Sequence, residues 1–287
     1  MKNPQKLPPW IRGRISWHEN FKKVQEILRE SNLKTVCVEA SCPNRGECWE
    51  NKHVTFILLG KTCTRGCLFC DVSKGKPEEP GVSEPREIAK AVKKLGTKYI
   101  VITSVTRDDL PDGGAGHFVN TVKEIRTVGQ RHAFAVTIEL LIPDFNANPE
   151  LIKDIAFSGA EIIGHNIEMP ESLYPTIRPK ADYARSLEVL KFLNKLKNQG
   201  AKIQTKSSII VGVGETREEI YSTLNDLKDS GVDIVHICQY LSPSKKHWPV
   251  KKYYTPREFT LFQKKALQIG LPKVSSAPMI RSSSRQQ

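Results

Sequence analysis

Three cysteines with the spacing Cys63-x3-Cys67-x2-Cys70 place thiolate ligands on a short loop, CTRGCLFC. Soft thiolates select zinc, copper or iron–sulfur clusters over hard cations. A tetrahedral zinc site usually takes a fourth nearby Cys or His, and the two closest histidines, His18 and His53, lack zinc-finger spacing. Three cysteines instead suit an iron–sulfur cubane with one iron left open. Structural zinc stays as the alternative.

A second trio, Cys37-x4-Cys42-x5-Cys48, lies just upstream. The alternatives are buried structural cysteines or the other half of a single zinc site. Because the two trios together offer six thiolates, one zinc ion would leave two of them unused. A second cluster is therefore the better interpretation. Its fourth ligand must come from elsewhere in the chain. Cys238 is the one remaining cysteine, although a lone cysteine in an apolar strand is more often part of the core.

The elements that position these loops follow a regular alternation. Short runs rich in Val, Ile and Thr predict buried parallel strands at 53–59, 99–104, 134–142, 161–167, 202–213 and 233–241. Amphipathic runs predict helices at 85–95, 116–128, 150–158, 183–199, 216–230 and 255–269. Helix-end patterns are Gly96, Gly200 and Gly231, and a capping box at Thr216 and Glu219.

Six consecutive βα units predict an α/β fold with a parallel sheet and right-handed crossovers. A partial (β/α)6 TIM-like barrel fits better than a doubly wound sheet, because no dinucleotide-binding glycine fingerprint follows the first strand. The Cys63 trio follows it instead, at the strand end where barrels carry their active sites. We expect three parts: an N-terminal extension with the second trio (1–52), the barrel core (53–242), and a C-terminal helix and extension (243–287).

The CTRGCLFC spacing after the first strand of a βα barrel resembles the radical SAM superfamily. The resemblance implies that S-adenosylmethionine (SAM) binds the open iron through its amino and carboxylate groups. An electron from the cluster then cleaves the sulfonium and yields a 5'-deoxyadenosyl radical. This radical removes a hydrogen atom from the substrate, a step that needs no proton acceptor. We therefore interpret His165 and His236, which lie within apolar strands, as core or supporting residues rather than bases.

Several positions match the places where this superfamily holds SAM. Ser208-x-Ile210-x-Gly212-x-x-Glu215 resembles its GxIxGxxE adenine motif, with Ser in place of the first Gly. The other expected contacts are Phe69 beside adenine, Gly113 and Gly114 at the methionine amino group, Asn166 and Glu168 at the ribose or methionine, Arg178 at the carboxylate, and Gln239 and Tyr240 at the end of the sixth strand. The structural alternatives are that Phe69 is a core aromatic, that the two glycines form a simple turn, and that the polar side chains pair with other groups at the barrel rim.

Four longer segments, CVEASCPNRGECW, CTRGCLFCDV, TSVTRDDLPDGGA and APMIRSSS, resemble the lipoyl synthase family, and the match extends from KLPPWIRGRI at Lys6 to the RSS at Arg281. The family resemblance implies two [4Fe–4S] clusters, with a serine of the RSS motif, Ser283 by position, completing the second. The family usually has Tyr after the two serines, whereas Ser284 follows here, so Ser282 and Ser284 stay alternatives. A hard serine oxygen on iron is easier to displace than a thiolate, which suits a cluster dismantled to supply sulfur.

The implied reaction inserts two sulfur atoms, at C6 and C8, into an octanoyl chain on a lysine of a lipoyl carrier protein, a lipoyl domain or H protein, and consumes two SAM molecules. A low-potential donor such as ferredoxin or flavodoxin would deliver the electrons. A radical SAM enzyme whose second cluster only relays electrons is the alternative within enzymes. A zinc-stapled nucleic-acid-binding protein is the alternative from another class, although an aromatic content of 7% and the lack of a basic stripe within the barrel count against nucleic acid.

The 287 residues carry a net charge of +13 with a mean hydropathy of −0.39, which favours a folded chain over a disordered or membrane-spanning one. Residues 1–36 hold +5 and residues 243–287 hold +9, while the middle is −1. The two basic ends predict an electrostatic docking surface if they meet in space, with a solubility device or nucleic-acid tails as alternatives. The start of the chain lacks the apolar stretch of a secretory signal, and six cysteines within 34 residues favour metal over disulfides, so we expect a cytoplasmic location.

Overall fold

The computed structural model describes residues 7–11 and 18–285. Its helices are α1 (Glu19–Glu30), α2 (Val36–Glu39), α3 (Arg45–Glu50), α4 (Glu84–Leu95), α5 (Ala115–Arg131), α6 (Pro149–Ala156), α7 (Tyr174–Ile177), α8 (Tyr183–Asn198), α9 (Arg217–Asp229) and α10 (Pro256–Gln268). Its strands are β1 (Thr55–Leu58), β2 (Thr62–Cys63), β3 (Ser73–Lys74), β4 (Tyr99–Ser104), β5 (Thr137–Leu141), β6 (Ile162–Gly164), β7 (Gln204–Val211), β8 (Ile234–Gln239) and β9 (Lys273–Ala277). Lys2, Lys6, Arg12 and Arg14 of the basic N-terminal segment, and half of the KLPPWIRGRI match, lie outside the described residues.

The main sheet has seven parallel strands in the order β1-β4-β5-β6-β7-β8-β9. The six predicted strands and six predicted helices are all present, and the αL cap at Gly96 and the capping box at Thr216 are confirmed. The seventh strand, β9, was not predicted, and the βα alternation therefore continues into the segment expected to be an extension. The sequence of β9, KVSSA, lacks an apolar run, and only its Val274 is buried, so the strand pattern is weak there.

Side chains of the sheet alternate between an outer face under the helices and an inner face. On β5, Ile138 and Leu140 join the apolar layer beneath the helices, whereas Glu139 points inward. An inner apolar cluster joins Tyr99 and Val101 of β4 to Ile162 of β6 and Ile234 of β8. Because β4 and β8 are separated by three intervening strands, their contact shows that the sheet curls into a partial barrel.

The inner face carries polar groups where closed barrels pack branched apolar side chains. Lys206 and Ser208 of β7 and His236 of β8 are all buried, and Glu139 joins them from β5. Burying such groups costs free energy unless each finds a partner. The lumen is therefore built for polar contacts rather than as a second apolar core.

The N-terminal and C-terminal segments lie across the gap between the edge strands β1 and β9. Thr35 forms an antiparallel bridge with Phe56 of β1, and the Asn44 amide donates to the carbonyl of Met279, just beyond β9, at 2.5 Å. The segment that contains the second cysteine trio therefore contacts the chain at both edges of the sheet. Within the described ranges, no helix combines the length and apolar character that crossing a membrane requires.

Gly212, at the end of β7, tests how tightly the strand ends are packed. A Cβ at this position would lie 2.3 Å from both the Gln239 Nε2 and the Lys252 carbonyl oxygen. We expect Gly212→Ala to lower the free energy of unfolding by more than about 2 kcal/mol, because the left-handed backbone alone costs about 1–2 kcal/mol and the contact adds to it. Denaturant unfolding measures the change.

The matched control is Gly60→Ala. Gly60 has a similar φ of +89° against +96° at Gly212, but a Cβ at Gly60 meets no atom within 4 Å. Its cost should therefore be the backbone cost alone. Equal losses of stability in the two variants would contradict the packing described here.

Candidate active site at the cysteine loops and the barrel lumen

The loop with Cys63, Cys67 and Cys70 follows β1 and is held at both ends. Cys63 lies in β2, which pairs with β3 beyond the last cysteine. The amide of Leu68 donates to the Ile177 carbonyl, and the Leu68 carbonyl accepts from the Trp248 amide, each at 2.9 Å. Backbone contacts from two distant segments therefore fix the middle of the loop.

Arg65, inside the same loop, is buried and forms two forked ion pairs. Its guanidinium donates to both oxygens of Asp108 after β4, at 2.8 and 2.9 Å, and to both oxygens of Asp144 after β5, at 2.7 Å. Planar bidentate pairs of this kind are strong and specific in geometry. The Asp144 carboxyl is buried, yet the Arg65 guanidinium holds its pKa below its ordinary value against that burial. Arg65 thus ties the cysteine loop to the ends of two neighbouring strands.

The thiols of each trio lie near one another and are partly shielded from solvent, with Cys37 buried. Burial, reinforced by the neighbouring Cys67 and Cys63, raises the pKa of the Cys70 thiol to about 12. Burial, reinforced by Cys37 and Cys42, raises the pKa of Cys48 to about 12. All seven cysteines are free thiols. Each trio therefore offers ligands whose protons leave when a metal centre binds.

In the described part of the chain, no three His, Cys, Asp or Glu side chains converge on a position for one metal ion. A cubane takes each thiolate at a different iron, so its cysteines surround a larger group and need not converge on one point. The donor set of three thiolates per loop fits such a cluster in kind and number. Cys238 lies inside the barrel on β8, and burial raises its pKa to about 12.

The second trio lies on α2, α3 and the turn between them, against the C-terminal tail. Cys37 is in α2 and Cys48 in α3, and the charge of Arg281 from the tail acts on Cys48. Two buried oxygens nearby, Thr35 Oγ1 and Asn44 Oδ1, have no hydrogen-bond partner. Buried orphan groups are rare and need a reason, so this pocket suits a bound group that the chain itself does not supply.

The tail distinguishes among the three candidate serines. The Ser284 hydroxyl oxygen accepts from the Arg281 amide at 2.9 Å, which closes a turn. The hydroxyls of Ser282 and Ser283 make no hydrogen bond to any residue that the structure describes, while the Ser283 carbonyl accepts from His53 Nε2 at 2.8 Å. Ser284 is therefore committed to the turn, and Ser283 or Ser282 has its oxygen free to act as a ligand.

The two cysteine loops touch each other through Asp71, the residue after Cys70. The Ser41 hydroxyl, next to Cys42, donates to Asp71 Oδ2 at 2.5 Å. His247 Nε2 lies 3.4 Å from Asp71 Oδ1. The loops that carry the two trios and the loop after β8 therefore meet at one carboxylate, close to the C-terminal ends of the strands.

Four of the expected SAM contacts lie together at the end of the lumen. Asn166 donates to Glu168 at 3.0 Å, and Glu168 bridges to β7 through the Ser208 carbonyl. The Arg178 guanidinium contacts Cys67 and stacks over the Tyr174 ring, 4.7 Å from its centroid. Arg178 Nε and Ser208 Oγ are buried without partners. The open donor of Arg178 beside Cys67 fits the carboxylate of SAM, and the open hydroxyl of Ser208 within the lumen fits its nucleoside.

Gly113 and Gly114 form the turn that starts α5. Both have positive φ, and Asp112 caps the helix by accepting from the Gly114 and Gly116 amides at 2.9 Å. A Cβ on Gly114 would collide with Leu59 Cδ1 at 2.2 Å, beyond β1. Phe69 is half-buried against the apolar layer under α7–α10. The glycines therefore allow close packing at the β1 end, and the SAM contacts at these three positions stay predictions.

The remaining candidates hold backbone in place. The Glu215 carboxylate accepts from the amides of Gly212, Val213 and Gly214, at 2.6 to 2.9 Å, which shapes the loop after β7. The Gln239 amide bonds backbone groups on both sides, including the Lys252 carbonyl and the Tyr254 amide. The hydroxyl of Tyr240 donates to the Trp248 carbonyl at 2.7 Å. Their direct contact with SAM stays a prediction, because these side chains already have partners within the chain.

A strained turn follows β5 beside a cavity of about 380 Å³. Phe145, Asn146 and Ala147 are three successive non-glycine residues in the left-handed region, which costs about 1–2 kcal/mol per residue. Asp144 stabilises the turn by accepting from the Asn146 amide. Gly113 lines the cavity together with Thr106, Arg107, Asp108 and Phe145. Strain that is retained beside a strand end is typical of functional sites.

The sequence interpretation missed Arg65, Asp108 and Asp144, and the inward pair of Glu139 and Lys206. Arg65 and Asp108 lie within the quoted segments CTRGCLFC and TSVTRDDLPDGGA, and Asp144 follows the strand predicted at 134–142, but their pairing joins residues 43 and 79 positions apart. A charged residue within the apolar strand patterns, as at Glu139 and Lys206, was the available indication. His165 is buried as interpreted, and burial lowers its pKa to about 4, so its ring is neutral at physiological pH.

Sequence comparison places this chain among known proteins. A sequence model of the radical SAM superfamily matches residues 57–227, and a model of the N-terminal domain of lipoyl synthase matches residues 1–42. A protein named lipoyl synthase from Caldicellulosiruptor saccharolyticus is 47% identical over 97% of this chain and 95% of its own length. Its namesake from Rubrobacter xylanophilus is 45% identical over 96% and 84%, and the one from Alkaliphilus metalliredigens is 44% identical over 98% and 94%.

Two solved structures share the fold at low sequence identity. Methylornithine synthase superposes with a TM-score of 0.55 at 15% identity, over 94% of this chain and 82% of that one. Streptococcus suis SuiB bound to S-adenosylmethionine gives a TM-score of 0.59 at 10% identity, over 82% and 54%. These likenesses support the partial barrel.

Arg65→Lys tests whether the forked ion pairs hold the first cysteine loop. Lysine keeps the charge but not the planar fork, so several charge-assisted hydrogen bonds to buried Asp144 and to Asp108 are lost. We expect the free energy of unfolding to fall by about 2–3 kcal/mol and iron bound at the first trio to fall with it. Denaturant unfolding and iron analysis after anaerobic reconstitution measure the two effects.

Arg126→Lys is the matched control, since Arg126 also bonds a carboxylate, Glu161, and two carbonyls, but does so on α5, away from both cysteine loops. It should bind iron like the parent protein. If Arg65→Lys binds as much iron as Arg126→Lys does, the pairing of Arg65 does not support the cluster loop.

Proposed function

The chain belongs to the lipoyl synthase family of the radical SAM superfamily, and we propose that it inserts two sulfur atoms, at C6 and C8, into an octanoyl chain carried on a lysine of a partner protein. It is a radical SAM sulfurtransferase of lipoate biosynthesis, and its substrate is protein-bound. The observation that carries the proposal is the presence of two separate thiol trios, each with orphaned buried polar groups beside it, on loops that meet at Asp71.

We assign the [4Fe–4S] cluster that binds SAM to Cys63, Cys67 and Cys70, and a second one to Cys37, Cys42, Cys48 and Ser283. When bound, the first supplies the electron that cleaves SAM, and the second supplies the sulfur. The turn closed by Ser284 removes that hydroxyl from the candidates, and Ser283 is chosen over Ser282, whose hydroxyl is equally free, by its position in the RSS motif.

The chain's own residues orient SAM and exclude water from the reacting carbon. Arg178 offers its unpartnered Nε to the carboxylate and Ser208 its unpartnered hydroxyl to the nucleoside, while Asn166 and Glu168, which bridges to Ile209 of β7, lie at the ribose or methionine. The carboxylate of Glu215 keeps the loop after β7 in place so that its backbone can meet the adenine. Positioning of this kind lowers the entropy cost of bringing three reactants together. The residues act as a scaffold, and none needs to move a proton.

The partner we propose is an octanoylated lipoyl domain or H protein with an acidic face. The loop after β8 is held to the first cysteine loop by the Trp248 amide and exposes Lys245 and Lys246, followed by Lys251 and Lys252. We place the approach of the acyl-lysine on this side of the barrel, where the lysines attract an acidic surface over about 10 Å at ordinary ionic strength. Ferredoxin or flavodoxin as donor and a cytoplasmic location complete the proposal.

Isotopically labelled sulfide tests the source of the inserted sulfur. The protein is reconstituted anaerobically with iron and ³⁴S-sulfide and then given SAM, a reductant and an octanoylated carrier. We expect about eight irons per chain, four in each cubane, and labelled sulfur in the product by mass spectrometry. Ser283→Ala should lower product formation by about tenfold or more, since the oxygen ligand is lost, whereas Ser282→Ala should leave it close to the parent level.

Unlabelled product, or a second cluster that is intact after turnover, would favour the electron relay instead. Four irons or fewer per chain in the fully loaded protein would remove the basis of the proposal altogether.

Charge reversal of the loop after β8 tests the docking surface. We expect Lys245→Glu with Lys246→Glu to raise the KM for the octanoylated carrier by about tenfold, with kcat changed little, because exposed charges act mainly on encounter. Rising salt should produce the same change in the parent protein. The control is Lys264→Glu, an exposed lysine on α10 that lies outside this loop. A KM that is insensitive to both salt and the double substitution would exclude electrostatic docking.

A further inference from the structure

A buried ion pair lies within the barrel at the N-terminal ends of the strands. Lys206 Nζ of β7 donates to both oxygens of Glu139 on β5, at 2.8 and 2.9 Å, and the Tyr99 hydroxyl of β4 donates to the same carboxylate. Lys206 is 3% exposed and Glu139 is fully buried. Gly164 stands opposite Lys206 in the register and has no side chain, which leaves space for the lysine.

A contribution to stability does not account for the Glu139–Lys206 pair. Removing two charges from water costs several kcal/mol per ion, and apolar side chains of the same volume often stabilise a protein as well or better. The neighbouring inward residues Val101, Ile162 and Ile234 show that this level of the lumen accepts apolar groups. A charged pair here therefore points to a task other than stability.

The third N–H donor of the Lys206 ammonium group indicates what that task is. Lys206 Nζ also donates to the carbonyl of Ser284 at 3.0 Å, so the pair reaches the C-terminal tail. His53, whose ring stacks on Tyr99 at 5.7 Å, bonds the Ser283 carbonyl, and the His236 ring bonds the Arg281 carbonyl at 3.0 Å. Three side chains from the barrel thus hold three carbonyls of one turn.

The tail depends on these contacts because it belongs to no helix or strand. Within 278–285, its own backbone bonds are those from Ile280 to Ala277 and from Ser284 to Arg281. A short turn of serines buries little apolar surface, so side-chain donors from the barrel must determine its position. Ser283, which carries the candidate hydroxyl, is held through its own carbonyl by His53. The next residue, Ser284, is held through its carbonyl by Lys206.

We propose that the Glu139–Lys206 pair is a positioning element for the serine ligand of the second cluster. Glu139 orients the ammonium group, Lys206 fixes the Ser284 carbonyl, and the Ser283 hydroxyl is thereby held towards the cysteines of α2 and α3. The inference rests on the proposed function, since it takes Ser283 as a ligand. It assigns a role to two residues that lie outside both cysteine loops.

The test replaces the pair by Glu139→Gln with Lys206→Met, which keeps volume and leaves no buried charge. In the full-length protein before metal loading, we expect amide hydrogen exchange in 279–285 to speed up by about tenfold or more, with exchange in β5 and β7 little changed. After loading with ⁵⁷Fe, the Mössbauer spectrum should change towards that of Ser283→Ala, while the contribution of the cluster at Cys63 stays as in the parent.

The matched control is Lys197→Met with Asp233→Asn, an ion pair at the same end of the barrel that contacts Thr205 of β7 rather than the tail. Tail exchange that is unchanged, or accelerated equally in the control, overturns the inference. Glu139→Gln alone is the milder second variant, should the double variant not fold, and it should give an intermediate rate of exchange. A parent protein without a second cluster would defeat the proposed function, whereas exchange in the metal-free protein still decides the role of the pair.

Discussion

The cost of burying polar groups inside a curled parallel sheet governs this molecule. Inward positions of the strands carry Glu139, Lys206 and Ser208, and each such group must find a partner. At the N-terminal ends of the strands the chain supplies the partners itself, through the Glu139–Lys206 pair and the tail. Further along β7 it does not, because the Ser208 hydroxyl has no partner, and beside it after α7 neither has Nε of Arg178. The lumen therefore has one end whose polar groups pair within the chain and another end with unpartnered polar groups that suit a bound ligand.

The cysteine loops follow a related rule. The first loop is short and irregular, the second consists of two short helices and a turn, and each must present three thiols in one arrangement. Charged and backbone hydrogen bonds supply the rigidity that packing cannot. Arg65 ties the first loop to the ends of β4 and β5, and Asp71 ties it to the second loop. Placement of the two trios relative to each other thus depends on a few carboxylates, and the barrel provides the frame to which they are attached.

The tail links the two ends of this arrangement. It begins after β9, crosses the gap to the segment that carries the second trio, and ends on the polar groups of the lumen. Under the function proposed above, a serine ligand on such a tail would be positioned without the rigidity of a helix or strand. Its oxygen could then leave the cluster without unfolding the barrel, as a consumed sulfur source requires.

The sequence by itself determined the six βα units from β1 to α10, the two cysteine trios and the family, because these depend on local periodicity and short spacings. It did not reveal β9, whose polar residues lack a strand pattern and which forms because β8 offers an unpaired edge. Tertiary structure alone decided that Ser284 closes a turn, that Arg65 pairs with Asp144, and that Lys206 reaches the tail. Such contacts join residues far apart in the chain, and a hydrogen bond depends on where the fold brings its donor and acceptor, which residue type and spacing do not specify.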